Sequence, residues 1–348
     1  VSYTTNMQTA AGNVEFTNNA VFSHNWTGYH LIWQDQLIFP ELSATDKVQV
    51  TLEEAKRGNI LDRNGRQLAG EGTASSVGIV PGRMENREDT IKKLAEYLGI
   101  GADEIEDKLK ADWVKADSFV PVATIPKIQE VDLLTVNPDE TVLEEKEKQD
   151  TLLKIPGIML SDVKVRTYYL KEAASHLVGY VQAVTAEDLQ EHKGEGYRTN
   201  SVIGKTGLET LYEKELKGTD GCEICIVDAN GNKKSVIAYE PKKDGEDIHT
   251  TIDGDLQSTL YEQFKEDRGC SVALNPYTGE VLALVSTPSF NSNDFIYGMS
   301  ETLWNELNMD ERLPLYNRYV QKLCPGSSFK PIVAAIGLDL GTIDPQDD

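Results

Sequence analysis

The 348-residue sequence predicts a multidomain α+β protein, and three observations carry that expectation. The length gives a prior of about two domains, with a third within reach. Strand-like patterns at residues 1–50 and 223–252 are separated by helical ones, notably at 85–113. From about residue 249 the order becomes helix, hairpin, helix, which suggests α+β architecture.

Composition narrows the class of function. Apolar residues make up 39% and charged residues 26%, as in an ordinary globular protein with a packed core. A net charge of −23 argues against a nucleic-acid partner, whose phosphates need a basic surface, and against polybasic attachment to anionic lipid. The dense acidic run at 140–150 reads as a solvated helix face or loop. There is no run of 18 apolar residues to span a bilayer, and no basic segment precedes an apolar one as in a signal peptide. Val1 falls inside a strand-like pattern, and the segment closing at Asp348 has no terminating element, so both ends read as cut.

The elements follow in order. Trp26 and Trp33 are expected to anchor the core of a small sheet within residues 1–50. A short strand over 59–62, an Asn64-Gly65 turn and a returning strand make a hairpin, with Arg57, Asp62 and Arg63 as its less generic feature. Ile91, Leu94, Ala95 and Leu98 lie at helical spacing before Gly99 and Gly101, and 102–113 repeats the pattern. Residues 163–181 alternate, with Val163, Val165, Tyr168 and Leu170 as their apolar positions. The run 204–209 opens a helix that continues through Leu216 and stops at Gly218, and residues 228–232 form another turn. Leu256, Leu260 and Phe264 mark the apolar face of a helix over 256–264. Strands at 271–274 and 280–285 are joined by the turn-rich Asn275-Pro276-Tyr277-Thr278-Gly279.

Metal and redox chemistry find little support. Cys222 and Cys225 form a single C-x-x-C inside an apolar strand pattern, without a second pair or matched histidines, and read as buried thiols. Cys270, Cys324 and the five histidines are scattered. No cofactor and no metal site are expected.

The run with chemical content is Pro325-Gly326-Ser327-Ser328-Phe329-Lys330-Pro331. Pro-Gly ends the preceding segment, and Val333, Ala334, Ile336 and Leu338 follow as an apolar helical stripe. Ser327 therefore stands at a helix N-terminus, with Lys330 three residues on and on the same face. A serine hydroxyl is a weak nucleophile without a base in reach. A lysine serves as that base if burial and the helix dipole lower its pKa. The pair suits acyl transfer. The bland alternative is an N-cap serine followed by a surface lysine. Lys205-Thr206-Gly207 matches another motif of penicillin-recognising enzymes, but it precedes Ser327 and opens a helix, so it reads as structural.

Across nearly its whole length the chain resembles a class B penicillin-binding protein, and more narrowly the low-affinity, methicillin-resistance type with an extra N-terminal domain. The resemblance is carried by Arg57-Gly58-Asn59-Ile60-Leu61-Asp62-Arg63-Asn64-Gly65, by Ala174-Ser175-His176-Leu177-Val178-Gly179-Tyr180, and by Gly204-Lys205-Thr206-Gly207-Leu208-Glu209. The segment 273–286 resembles the first hairpin of the catalytic domain, and 325–330 the nucleophile motif. Two departures are Tyr169, where a proline is usual, and Cys324 beside the Pro-Gly.

The resemblance implies three domains. Residues 1–50 would be the C-terminal part of a cystatin- or nuclear-transport-factor-like α+β domain. Residues 51–240 would be a β-rich non-catalytic pedestal, the dimerisation domain, with a helical lobe at about 85–113. Residues 241–348 would be the N-terminal part of a transpeptidase domain of the serine β-lactamase-like kind. The full-length protein would be a peptidoglycan D,D-transpeptidase with Ser327 as nucleophile and Lys330 as general base. Its partners would be stem peptides ending in D-Ala-D-Ala, β-lactam antibiotics and cell-wall synthesis proteins. It would work on the outer face of the bacterial cytoplasmic membrane, its anchor lying before Val1. The family's S-x-N and K-[ST]-G motifs do not follow Lys330 within this chain, so the chain alone would be inactive. The alternative is a non-catalytic β-lactam sensor or wall-synthesis scaffold that keeps S-x-x-K. A hydrolytic β-lactamase is disfavoured because it has no need of the pedestal.

Overall fold

The structure, a computed structural model, describes residues 1–128, 140–322 and 324–346. Two hairpins open the chain: β1 (Ser2–Thr9) with β2 (Gly12–Asn19), and β3 (Val21–Asn25) with β4 (Gly28–Ile32). The second turn is tight because the Asn25 side chain accepts from the Thr27 N–H and Gly28 takes a positive φ of 124°. Trp26 sits on that turn, 95% exposed, and Trp33 is 64% exposed, so neither anchors a core as the sequence suggested. A side chain at a turn tip projects away from both strands. The core at this end is instead Phe39 and Leu42 against Ile226, with Met7 and Phe16 beside them. Next, β5 (Lys47–Glu53) spans the expected boundary at residue 50 and joins a sheet formed mostly by much later residues.

Residues 60–168 are organised around β7. From β6 (Ile60–Leu61) the chain turns through 62–66 into β7 (Gln67–Ile79), then α1 (Arg87–Leu98), α2 (Ala102–Leu109) and β8 (Val120–Pro126). It continues with α3 (Glu140–Leu152), formed by the acidic run, and β9 (Ile158–Tyr168). β7 pairs antiparallel with β9 from Ala69↔Tyr168 to Ile79↔Ile158, and with β8 over its second half. Its small residues permit that crowding. A Cβ on Gly72 would lie 2.1 Å from the Thr167 hydroxyl. The helical lobe buries Ile91, Leu94, Ile105 and Leu109 against Val77, Ile79 and Val120. Asn86 caps α1 by accepting from the Asp89 N–H, and Gly99, with φ 66°, ends it.

After β9 come α4 (Ser175–Val178), β10 (Val181–Ala183), α5 (Ala186–Glu191) and β11 (Val202–Gly204), which pairs with β10. The helix expected through Leu216 is two short ones, α6 (Gly207–Leu211) and α7 (Glu213–Lys217), parted at Tyr212, and Gly218 ends the second at φ 72°. β12 (Gly221–Val227) lies between β5 and β13 (Lys233–Glu240), with Cys222 and Cys225 buried as expected of its apolar pattern. β14 (Ile248–His249) then runs parallel to β6.

Capped by Asp253, α8 (Gly254–Phe264) packs on the hairpin of β15 (Gly269–Leu274) and β16 (Val281–Thr287). Its buried positions are Gly254 and Gln257, not the expected stripe; Leu256 and Leu260 are half-buried and Phe264 is exposed. Gln257 has no exposed surface because its amide bridges two elements, donating to Ala173 O at 2.7 Å and Leu284 O at 2.6 Å and accepting from Leu284 N at 2.8 Å. The last helices are α9 (Ser292–Tyr297), α10 (Glu301–Met309) and α11 (Lys330–Asp339). None of the described helices is long and apolar enough to cross a membrane.

Candidate active site

The S-x-x-K run forms a 3₁₀ turn, Gly326–Phe329, that leads into α11 at Lys330. Gly326 has φ 55°, a left-handed conformation that follows from the Pro-Gly sequence. The Ser328 hydroxyl donates back to Pro325 O, and the Lys330 N–H donates to Ser327 O. With three residues per turn, side chains at i and i+3 eclipse, so Ser327 and Lys330 share a face. The sequence placed Ser327 at the N-terminus of the helix; it sits one tight turn ahead of it.

Both residues are exposed, and among the described residues no hydrogen bond joins the Ser327 hydroxyl to the Lys330 amine. The stripe behind them is also open. Val333, Ile336 and Leu338 remain about half exposed, and Gly337 is the buried position of α11. Cys324 is exposed beside the turn, and residue 323 lies outside the described residues. The turn thus presents a hydroxyl and an amine on one surface with space around both.

The other motifs come together elsewhere, inside the pedestal. Glu209 has no exposed surface and lies between two guanidinium groups: Arg57 donates from Nε at 2.8 Å and Arg166 from Nε at 2.7 Å. Arg57 also forks onto Glu213, which further accepts from the Tyr197 hydroxyl and the Gly204 N–H. Burial disfavours charge on Arg57, but its hydrogen bonds to Glu213 and the field of Glu209 outweigh it and hold the guanidinium charged. The sequence singled out Arg57 and the Gly-Leu-Glu triplet without joining them. No local signal links Arg57, Arg166 and Glu209, because the pairing is closed by the fold across 152 and 43 residues.

Asp62, in the hairpin turn, is buried, which favours its neutral form. Hydrogen bonds from the Arg66 N–H and guanidinium and from the Asn64 N–H overcome that and keep it below the usual carboxylate range. Arg66 then reaches Asp255 at the start of α8. Lys205 of the Lys-Thr-Gly triplet is engaged by Asp188 at 2.6 Å, and its hydrogen bonds hold that carboxyl down at about 2. Gly207 packs with φ 61° against the backbone of Leu177 and Gly179, so the triplet is structural, as its position in the sequence indicated.

Residues 52–250 match the family described as the penicillin-binding protein dimerisation domain, and residues 269–348 match the penicillin-binding protein transpeptidase domain. The chain is 40% identical to penicillin-binding protein 3 of Bacillus subtilis, over 99% of this chain and 49% of that protein. It is 32% identical to the peptidoglycan D,D-transpeptidase MrdA of Acinetobacter baumannii, over 87% of this chain and 44% of that protein. The chain therefore spans about half the length of these relatives. In fold it is similar to the penicillin-binding protein PBP2 of Helicobacter pylori, solved in complex with MreC. The TM-score is 0.60 at 23% identity, over 86% of this chain and 54% of that one.

Proposed function

The chain belongs to the class B penicillin-binding proteins, with a dimerisation domain followed by a transpeptidase domain, and from that premise we propose that Ser327 and Lys330 are the nucleophile and general base of a peptidoglycan D,D-transpeptidase. The observation that carries this reading is the Ser327-to-Lys330 turn opening α11 inside the span that matches the transpeptidase family.

The chemistry is acyl transfer. Lys330 takes the proton as Ser327 Oγ bonds to the carbonyl carbon of the penultimate D-alanine of a stem peptide. The peptide bond to the terminal D-alanine breaks, and that residue leaves as the amine with a proton. The amine of a neighbouring stem then attacks the ester, forms the cross-link and frees Ser327. The Ser327 N–H would be one donor to the developing oxyanion. A β-lactam takes the place of the dipeptide, and its opened ring stays on Ser327 as a slowly hydrolysed ester.

The finer assignment is to the low-affinity, methicillin-resistance type. Its support is the segment before residue 52, which lies outside both matched families and packs its own hairpin against β12 and β13. In this reading residues 1–50 belong to an additional N-terminal domain, 51–240 to the pedestal and 241–348 to the transpeptidase domain. A peptidoglycan substrate would put the protein at work on the outer face of the cytoplasmic membrane. Cell-wall synthesis proteins are its expected partners, in line with the complex formed by the fold relative.

The test is fluorescent penicillin labelling of the full-length protein and its Ser327→Ala variant, followed by cross-linking of a D-Ala-D-Ala stem peptide. Wild type should label and cross-link, and the variant should do neither. Labelling that survives the substitution would sink the nucleophile assignment. Labelling without cross-linking would favour the sensor. Slow acylation at penicillin concentrations that saturate other penicillin-binding proteins is expected of the low-affinity type, and fast acylation would remove that assignment.

A further inference from the structure

One sequence motif, Ala174-Ser175-His176-Leu177-Val178-Gly179-Tyr180, plays no part in the acyl-transfer chemistry. The structure makes it the bolt between the pedestal and the elements that lead to Ser327. At the end of β9 the Tyr168 backbone exchanges two hydrogen bonds with the side chain of Asn293, at 2.9 Å each. Ser175 Oγ accepts from the Ser292 N–H at 3.2 Å. Tyr180 stacks on Phe295, with ring centroids 3.8 Å apart. His176 reaches furthest along the chain, and its Nε2 lies 2.9 Å from Pro314 O, in the segment that runs from α10 to the 3₁₀ turn of Ser327.

That segment is also held by hydrogen bonds of its own. It borders a cavity of about 560 Å³ whose walls include His176, Tyr180 and Leu208 together with Leu315, Asn317 and Tyr319. Leu313 is held at φ 54°, a left-handed conformation that costs a non-glycine residue and persists only when its surroundings impose it. Arg318 supplies part of that restraint. Its side chain is buried, pairs with no carboxylate among the described residues, and donates to the carbonyls of Arg312, Leu313 and Tyr316. Ser286 Oγ links Tyr316 O and the Arg318 N–H to β16.

We infer that His176 is a positioning residue of the pedestal, whose Nε2–H holds Pro314 O and, with Arg318, fixes the segment that presents Ser327. A carbonyl oxygen only accepts, so the bond to Pro314 needs the hydrogen on Nε2, and the Pro288 carbonyl is a second acceptor beside the ring. Burial keeps the ring neutral, and the edge of Phe290, 5.1 Å away, fixes its plane. The pedestal thereby bears on the acylation rate without touching substrate. The inference rests on Ser327 as nucleophile for its kinetic consequence, but the clamp itself can be measured independently of acylation.

The experiment uses the full-length protein and its His176→Ala, His176→Gln, Ser175→Ala and Arg318→Gln variants. Hydrogen exchange of amides 312–329 is followed together with the acylation rate constant and dissociation constant for a fluorescent penicillin. His176→Ala should speed exchange in that segment and slow the acylation step, each about fivefold to tenfold, the worth of one buried hydrogen bond. The dissociation constant should stay put. Glutamine can place an amide N–H near Nε2, so His176→Gln should recover most of both. Ser175→Ala loosens the bolt without reaching the segment and should leave both unchanged. Arg318→Gln cuts the segment's other restraint without touching the pedestal and should reproduce the His176→Ala effect, which decides the matter if His176→Ala does not fold. Wild-type exchange and acylation in His176→Ala, or equal losses in Ser175→Ala, would overturn the clamp. A wild-type protein that shows the exchange differences but takes no penicillin would overturn the function and leave the clamp standing.

Discussion

The charged centre around Glu209 and the turn that carries Ser327 are built in opposite ways. Around Glu209 every carboxylate oxygen is engaged, by Arg57 on one side and Arg166 on the other, and no surface is exposed. Around Ser327 the hydroxyl and the amine of Lys330 stand in the open, on a helix whose apolar side chains are half exposed. Buried charges must be paired at folding, because an unpaired one costs several kcal/mol. The difference teaches that the charges of the first region serve structure, whereas the pair of the second is the one proposed for chemistry.

Substitutions at the two places should separate these roles. Glu209→Ala leaves two guanidinium groups buried without their counter-ion, and should cost about 3–5 kcal/mol in denaturant unfolding of the full-length protein. A cost below about 1 kcal/mol would mean that the network does not hold the pedestal together.

Acidity should act on the joint between the regions. Burial is the main cause that pushes His176 down to about 4, from an ordinary value near 6.5, with Arg318 adding to the effect. Between those values the unfolded chain binds a proton that the folded protein does not, so stability falls as pH drops from about 6.5 toward 4. The loss from this residue alone is at most about 3 kcal/mol. His176→Gln should flatten that part of the pH–stability curve, and an unchanged curve would contradict a buried neutral ring.

Asp294, on α9, acts with the opposite sign and more weakly. Burial first, and Glu172 second, push it up to about 6 from 3.8. The folded protein binds the extra proton in that window, so this residue favours folding as pH falls from 6 to 3.8 and disfavours it above. Asp294→Asn should raise the melting temperature at pH 7.5 by about 1–2 °C, a figure reduced for its partial exposure, with the gain fading below pH 4. A loss at pH 7.5 would show a partner for the carboxylate.

The smallest effect is expected on the exposed helix. Val333→Ser in the 348-residue chain should change stability by no more than about 0.5 kcal/mol, since its side chain is about half exposed. A larger cost would place α11 in a packed environment.

Local chemistry was the legible part of the sequence. The Asn64-Gly65 turn, the strands on either side of Asn275 and the break at Gly99 follow from backbone preferences that neighbouring residues express. The Ser327 turn was legible in the same way, as Pro-Gly before an apolar helix. What depended on distant partners was not. Trp26 and Trp33 have the size of core residues, but Phe39 and Leu42 meet Ile226 and take that place. Gln257 interrupts an apolar stripe, and only the edges it bridges explain why a polar residue is the buried one. Arg57, Arg166 and Glu209 stand in three separate segments, and their contact exists only in the folded chain.

The central claim is that Ser327 is the acylated residue, and peptide mapping addresses it directly. The full-length protein is incubated with benzylpenicillin, its intact mass is measured, and the digest is searched for the modified peptide. The account predicts a single penicilloyl adduct per chain, located on Ser327 and absent from Ser327→Ala. An adduct on Ser328, on Cys324 or on any pedestal residue, or no adduct in folded protein at saturating penicillin, would contradict it.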